Sequence, residues 1–285
     1  MTRTKMLFTL LLAALLLGCA CTPQATPAAV AAVTQAGPTL SPAASGHLTV
    51  LAAASLTESF TELGNLFEAQ NPGAKVTFNF AGSQKLAQQL DQGLPADVFA
   101  SASKKYMEAS AASGRVNRDD SRPFVKNRLV VISPRDNPAG IKELKDLAKP
   151  GLKLDLADKS VPVGQYSLDF LDKAVKDPAF GAAFKEDVLK NVISYEENVK
   201  AVLTKVYLGE ADAGIVYVTD ITPSAAEKVE KLDIPDALNT IATYPIAPIS
   251  NSQNAGLARA FVALVLSPQG QQVMAKYGFI PAAAK

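Results

Sequence analysis

The chain has 285 residues, of which 48% are apolar, and its 28 basic and 27 acidic side chains give a formal net charge of +1. This length provides enough volume for one large domain or two smaller ones, and together with the apolar content it excludes a disordered or disulfide-stapled miniature. Because the charges balance and long runs of like charge are absent, the sequence predicts no nucleic-acid partner. Any anion must be held by local groups.

Metal and thiol chemistry is limited by the supply of histidine and cysteine. The one histidine is His47, and the two cysteines, Cys19 and Cys21, both lie close to the N-terminus. Zinc, iron and copper sites and most thiol catalysis depend on these residue types. We therefore expect no cofactor and no directly coordinated metal cation, and we expect His47 to be exposed.

The N-terminus has the pattern of an export signal. Arg3 and Lys5 precede an uncharged, mostly apolar run over 6–17, which is too short for an ordinary transmembrane helix. The Leu-Leu-Gly-Cys sequence that follows resembles a bacterial lipobox, which implies cleavage before Cys19 and acylation of its sulfur. The alternative is an ordinary export signal that is cut after Ala20 or beyond.

We predict a lipoprotein signal peptide over 1–18 and a disordered tether over 19–46. The tether region is rich in Ala, Pro and Thr and carries no charge between residues 22 and 46, so it cannot bury enough apolar surface to offset the entropy of ordering. This arrangement predicts an extracytoplasmic protein, in the periplasm or at the outer face of the cell membrane, anchored by lipid at Cys19.

From residue 47 onward, predicted strands and helices alternate. The predicted strands lie at 47–52, 76–80, 96–101, 128–133, 152–156, 192–195, 213–217 and 244–249. The predicted helices lie around 56–67, around 86–90, and at 104–113, 165–176, 180–189, 198–208, 257–266 and 269–277. This alternation predicts α/β layers built on largely parallel sheets.

Several uncharged hydrogen-bond donors occur where predicted helices begin. Ser55 and Glu58 have the S-x-x-E spacing of a capping box, which predicts Ser55 as an N-cap, and Ser83 begins the next helix in the same way. Val163 and Val199 lie at two further helix N-termini, where backbone N–H groups are free to donate. Each serine taken alone is explained by helix capping, so these residues do not identify a function singly.

Five segments taken together are more specific. They lie at 48–57 (LTVLAAASLT), 80–87 (FAGSQKLA), 95–102 (PADVFASA), 214–217 (GIVY) and 277–279 (YGF). In this order they closely resemble the extracytoplasmic molybdate-binding proteins of molybdate ABC transporters. The resemblance runs from about residue 47 to residue 281.

The resemblance implies a two-lobed periplasmic-binding-protein-like α/β fold of type II. Each lobe is expected to hold a mostly parallel sheet flanked by helices, with two crossover hinge strands near 127–130 and 243–246. Lobe 1 is expected at 47–127 plus 245–285, and lobe 2 at 128–244.

The resemblance also implies a monomer that binds molybdate or tungstate and delivers it to a molybdate ABC transporter permease. The implied ligand contacts are the hydroxyls and N–H groups of Ser55 and Ser83, the N–H groups of Val163 and Val199, and the phenol of Tyr217. Molybdate is a fully deprotonated dianion that only accepts hydrogen bonds, so a site of donors without carboxylates suits it. Molybdenum would be bound as molybdate through these residues, and no residue is expected to be catalytic.

Two alternatives remain at this stage. The first is a binding protein for another tetrahedral oxyanion such as sulfate. The second is a serine-dependent hydrolase with Ser55 or Ser83 as nucleophile, but the sequence lacks a second histidine and a G-x-S-x-G motif, and neither serine begins an S-x-x-K motif. Asp97 and Asp220 are expected in cap, turn or hinge roles, and Lys85 is expected to be solvated.

Overall fold

A computed structural model describes residues 46–282 of the chain. The predicted signal peptide, lipidation at Cys19 and almost all of the predicted tether lie outside these described residues. Among the helices of residues 46–282, none is both long enough and apolar enough to cross a membrane.

The described residues form eleven strands and nine α-helices. The strands are β1 (Gly46–Ala53), β2 (Ala74–Ala81), β3 (Val98–Ala100), β4 (Arg122–Asn127), β5 (Leu129–Pro134), β6 (Leu154–Ala157), β7 (Val192–Glu196), β8 (Ala213–Tyr217), β9 (Val229–Asp233), β10 (Ala242–Pro248) and β11 (Ile280–Pro281). The helices are α1 (Thr57–Gln70), α2 (Ser83–Asp91), α3 (Lys104–Ala112), α4 (Pro162–Ala174), α5 (Phe184–Lys190), α6 (Val199–Tyr207), α7 (Pro223–Ala226), α8 (Ala255–Leu266) and α9 (Pro268–Lys276).

The strands form two sheets. The first has six strands in the order β11-β4-β10-β3-β1-β2, and the second has five in the order β7-β6-β8-β5-β9. The chain leaves the first sheet after β4, builds the whole second sheet, and returns to the first with β10. These sheets and the helices on them confirm the predicted two-lobed α/β class. The first lobe is the one built on the six-stranded sheet, and the second lobe is the one built on the five-stranded sheet.

Both sheets are mixed, so the expectation of mostly parallel sheets is wrong in this detail. Parallel pairing joins β1 to β2 and β3 in the first lobe, and β6 to β7 and β8 in the second. The other pairs, which involve β4, β5, β9, β10 and β11, are antiparallel. Strand–helix–strand units produce the parallel pairs. β4 and β5, which belong to different sheets, are separated by Arg128 alone, so the chain crosses from one lobe to the other without a helix.

Apolar helix faces hold each sheet in place. In α1, Phe60, Leu63 and Phe67 follow helical spacing and are buried, and the Phe60 ring centroid lies 5.9 Å from that of Phe261 in α8. In the second lobe, α6 buries Val202 and Val206 against β8. A Cβ at Gly214 would lie 2.8 Å from Val202 Cγ1, so the absence of a side chain there lets α6 approach the sheet.

Candidate functional site

All five residues predicted to contact a ligand line one small cavity. Ser55 and Ser83 reach it from the first lobe, and Val163, Val199 and Tyr217 reach it from the second. The cavity has a volume of about 10 Å³. Each of the five residues is at most 4% exposed, so an occupant would be enclosed by both lobes.

The topology explains why these residues meet. Ser55 and Ser83 follow the carboxyl ends of the parallel strands β1 and β2, and Tyr217 is the last residue of β8. Val163 and Val199 begin α4 and α6, which follow β6 and β7. In open α/β sheets the carboxyl ends of strands and the N-termini of the following helices share one edge, where ligands bind.

Two hydroxyl groups at the cavity are free to donate a hydrogen bond. The Ser83 Oγ accepts a hydrogen bond of 3.0 Å from the backbone N–H of Ala102, which leaves the serine proton for another acceptor. The Tyr217 hydroxyl is fully buried and has no hydrogen-bond partner in the described structure. A buried polar group without a partner is costly, so an acceptor in the cavity would satisfy it.

Two helix N-termini add backbone donors. Val163 is the second residue of α4 and Val199 is the first residue of α6, positions at which the N–H has no acceptor within its own helix. The Asn198 side chain caps α6 by accepting a 3.1 Å hydrogen bond from the Ala201 N–H. Both helices direct the positive ends of their dipoles toward the cavity, and the lining residues in the described chain carry no formal charge.

The predicted capping box at Ser55 is wrong. Residues Ala54–Leu56 form a 3₁₀ turn, and α1 begins after it with Leu56 at the N-cap position and no side-chain cap. The Ser55 Oγ instead lies 2.8 Å from the hydroxyl of Tyr244 in β10. The carboxylate of Glu58 is paired with Lys200 of α6, at 2.8 Å between Oε1 and Nζ.

Lys200 and Asp220 form a charged cluster behind the cavity that the sequence did not indicate. Asp220 is fully buried and accepts a 3.0 Å hydrogen bond from the backbone N–H of Tyr217, and Lys200 Nζ lies 3.4 Å from its other oxygen. Burial raises the pKa of Asp220, although Lys200 opposes this effect. Burial alone would lower the pKa of Lys200, but Asp220 and Glu58 outweigh it and the pKa is raised.

Residues 48–280 match the family of bacterial extracellular solute-binding proteins. The chain belongs to this family. It is 38% identical over 232 residues to the molybdate-binding protein ModA of Mycobacterium tuberculosis, which covers 81% of this chain and 84% of the relative.

Solved structures support the fold of this solute-binding protein. The periplasmic molybdate-binding protein of Azotobacter vinelandii aligns with a TM-score of 0.71 at 18% identity, covering 82% of this chain and 99% of that one. The sulfate-binding protein SubI of Mycobacterium tuberculosis aligns with a TM-score of 0.74 at 19% identity, covering 83% and 87%. At these identities the likeness concerns the fold alone.

The two lobes of this solute-binding protein contact each other on both sides of the cavity. On one side, Gln84 Nε2 donates a 2.8 Å hydrogen bond to the carbonyl of Glu197, and a Cβ at Gly82 would lie 2.5 Å from the same oxygen. On the other side, the Tyr106 hydroxyl donates to the carbonyl of Ser160. The structure therefore represents a closed arrangement of the lobes.

The remaining residues singled out from the sequence lie outside the cavity lining. Asp97 is buried and accepts hydrogen bonds from the Thr49 N–H at 2.7 Å and the Ser252 hydroxyl at 2.6 Å, which is a structural role of the kind expected. Lys85 is half exposed and pairs with Glu197 at 3.2 Å, while His47 is exposed as predicted. Across residues 46–282, no group of three or more His, Cys, Asp or Glu side chains is placed to hold a metal ion.

Proposed function

We propose that this protein binds molybdate, and tungstate with it, outside the cytoplasmic membrane and delivers the ion to an ABC transporter permease. The observation that carries the proposal is the buried, unpartnered hydroxyl of Tyr217, which faces a small uncharged cavity together with Ser55 and Ser83. The similarity to ModA of M. tuberculosis extends over most of the chain and supports molybdate as the ion.

Neutral donors are sufficient to hold such a dianion. The hydroxyls of Ser55, Ser83 and Tyr217 and the N–H groups of Val163 and Val199 present donors to a ligand that offers acceptors only. A hydrogen bond to a charged group contributes about 1.5–3 kcal/mol, so five of them together are comparable in magnitude to the entropic cost of association. The N-termini of α4 and α6 spread the compensating positive charge without a basic side chain.

Sulfate is the closest competing ligand, because it has the same shape and the same acceptor pattern in a smaller volume. The likeness to SubI is at 19% identity and therefore supports a shared fold, whereas ModA of M. tuberculosis shares 38% identity. A hydrolase is less well supported, since the described cavity lining contains no histidine, lysine or carboxylate that would activate Ser55 or Ser83.

We further propose that the lobes comprise 47–127 plus 245–285 and 128–244, and that they open and close as a monomer about the two crossings between them. Membership of β1 to β4 and of β5 to β9 in separate sheets supports these boundaries, and β10 begins to pair with the first sheet at Ala242, three residues before the proposed second boundary. Closure would bring donors of both lobes around the ion and create the surface that a permease recognises.

Titration calorimetry of the purified protein with molybdate, tungstate, sulfate and phosphate tests the proposed ligand. We expect saturable heat with molybdate and tungstate and weaker binding of sulfate and phosphate. Absence of binding to both molybdate and tungstate contradicts the proposal. Tighter binding of sulfate than of molybdate supports the competing oxyanion, and turnover of an ester substrate supports the hydrolase.

Lipid anchoring at Cys19 is a separate proposal with its own test. Metabolic labelling with a clickable fatty acid in a bacterial host should label the exported protein and retain it in the membrane fraction. Cys19→Ser should abolish both label and retention, whereas the neighbouring control Cys21→Ser should keep both. Labelling that survives Cys19→Ser contradicts the proposed anchor.

A further inference from the structure

Tyr244 is fully buried at the second crossing between the lobes and does not line the cavity. It lies in β10, and its ring packs edge-to-face against Phe124, Tyr217 and Phe279, with centroid separations of 6.4, 5.9 and 5.6 Å. This packing fixes the ring, so the position of its hydroxyl is set by the strands of the first lobe and by β8 of the second.

The Tyr244 hydroxyl joins a short chain of hydrogen bonds that ends at the cavity. Its oxygen lies 2.8 Å from Ser55 Oγ and 3.3 Å from Asn127 Nδ2. Asn127, the last residue of β4, also donates through Nδ2 to Thr219 Oγ1 at 2.7 Å. Its Oδ1 accepts a 2.9 Å hydrogen bond from the backbone N–H of Arg128.

Groups that can only donate determine which atom is the donor in each of these hydrogen bonds. The Arg128 N–H must face an acceptor, so the Asn127 oxygen lies on that side and its NH₂ group faces Tyr244. The Tyr244 oxygen therefore accepts from Asn127, and its own O–H is left to donate to Ser55. In the reverse arrangement the buried phenolic proton would have no acceptor, since the partners of the Tyr244 hydroxyl in the described structure are Ser55 Oγ and the Asn127 NH₂ group, which only donates.

We propose that Tyr244 is a positioning residue for oxyanion binding: its O–H donates to Ser55 Oγ and thereby directs the Ser55 O–H into the cavity as a donor. This proposal rests on the proposed function and extends it. A free serine hydroxyl can donate or accept, but one whose lone pair is taken by Tyr244 is biased toward donation. The site then disfavours ligands that carry an O–H of their own, such as hydrogen phosphate.

The first test is a double-mutant cycle on molybdate affinity, with wild type, Tyr244→Phe, Ser55→Ala and the double variant. We expect Tyr244→Phe to weaken binding by about 3- to 10-fold in the wild-type background and to have no further effect once Ser55→Ala has removed the hydroxyl. We also expect Tyr244→Phe to reduce the preference for molybdate over phosphate. Tyr277→Phe is the matched control, because its hydroxyl bonds to Glu62 at 2.7 Å away from the cavity, and its affinity should be unchanged.

A second variant keeps the proposal testable if Tyr244→Phe does not fold. Asn127→Asp replaces the NH₂ donor by an acceptor, so Tyr244 would donate to the new carboxylate and Ser55 would turn its proton back toward Tyr244. Molybdate binding should weaken more in the wild-type background than in the Ser55→Ala background, where only the repulsion between the new carboxylate and the dianion remains. Thermal unfolding without ligand confirms that each variant is folded.

The outcomes separate the two proposals. A wild-type protein that binds neither molybdate nor tungstate overturns the proposed function, and the positioning role falls with it. If the wild type binds molybdate but the effects of Tyr244→Phe and Ser55→Ala are additive, or Tyr244→Phe changes neither affinity nor the preference over phosphate, the positioning role alone is wrong.

Discussion

Lys200 Nζ lies 2.8 Å from Glu58 Oε1, so an ion pair ties α6 of the second lobe to α1 of the first. The same ammonium group is the cation nearest the fully buried carboxylate of Asp220, at 3.4 Å. The Asp220 carboxylate also accepts a hydrogen bond from the backbone N–H of Tyr217, so the ion pair between Lys200 and Asp220 helps to position a residue that lines the cavity.

Removing Lys200 should therefore destabilise the protein. Lys200→Met leaves Asp220 buried without its cation, and breaking a buried pair in this way costs about 3–5 kcal/mol in the free energy of unfolding. Lys85→Met is the control, because Lys85 and its partner Glu197 are 48% and 67% exposed and such pairs contribute about 0–1 kcal/mol. Urea unfolding measures both variants, and equal losses would contradict a buried role for Lys200.

Tyr217→Phe should weaken molybdate binding without lowering the stability of the empty protein. The hydroxyl has no partner in the described structure, so its removal leaves no other group unpaired. Loss of one hydrogen bond to a dianion corresponds to an affinity about 10- to 100-fold lower. Calorimetry and thermal unfolding measure the two effects separately. Unchanged affinity with a lower unfolding temperature would show a purely structural tyrosine.

Ser83→Ala should lower both affinity and stability. It removes one donor from the cavity, and it also leaves the buried N–H of Ala102 without its acceptor, at a cost of about 1–3 kcal/mol. Ser110→Ala is the control, since Ser110 is fully buried and its hydroxyl has no partner in the described structure. Its removal should not lower the free energy of unfolding, and a loss equal to that of Ser83→Ala would contradict this account.

Stability should fall with rising pH because of Asp155. Burial, reinforced by the carboxylate of Glu196, raises the pKa of Asp155 from 3.8 to about 7 despite the nearby Lys205. Between these two pKa values the unfolded chain releases the proton while the folded protein retains it. The free energy of unfolding therefore falls as pH rises to about 7, and this destabilisation stays constant at higher pH.

Asp155→Asn isolates this contribution. The free energy of unfolding of the variant minus that of wild type should be larger at about pH 8 than at about pH 5. Urea unfolding at each pH measures this difference. A difference between variant and wild type that is the same at both pH values would show that Asp155 does not titrate in this range.

The sequence predicted the parallel strand–helix units well, but it missed β4, β9 and β11, which pair only with antiparallel neighbours. β8 and residues 50–53 of β1 are continuous apolar runs that read clearly as buried strands. β4 (RPFVKN) and β9 (VEKLD) were missed because charges and a proline interrupt their patterns. β9 is an edge strand and β4 pairs only through antiparallel partners, so tertiary contacts rather than local periodicity define them.

The site shows the same division between local and long-range information. The five predicted residues meet in one cavity because each lies at the start of a helix or the end of a strand. The partner of Ser55 could not be found in this way, since Tyr244 is 189 positions away in the chain. The S-x-x-E pattern pointed to a cap, but the preceding 3₁₀ turn places Ser55 inside the turn and toward β10.

Anomalous diffraction at the tungsten edge, from crystals of this protein grown with tungstate, tests the central claim most directly because it locates the metal atom independently of the protein coordinates. We predict one strong peak in the cavity, with tungstate oxygens within hydrogen-bonding distance of the hydroxyls of Ser55, Ser83 and Tyr217 and of the N–H groups of Val163 and Val199. A fully occupied peak elsewhere, with this cavity empty, would contradict it.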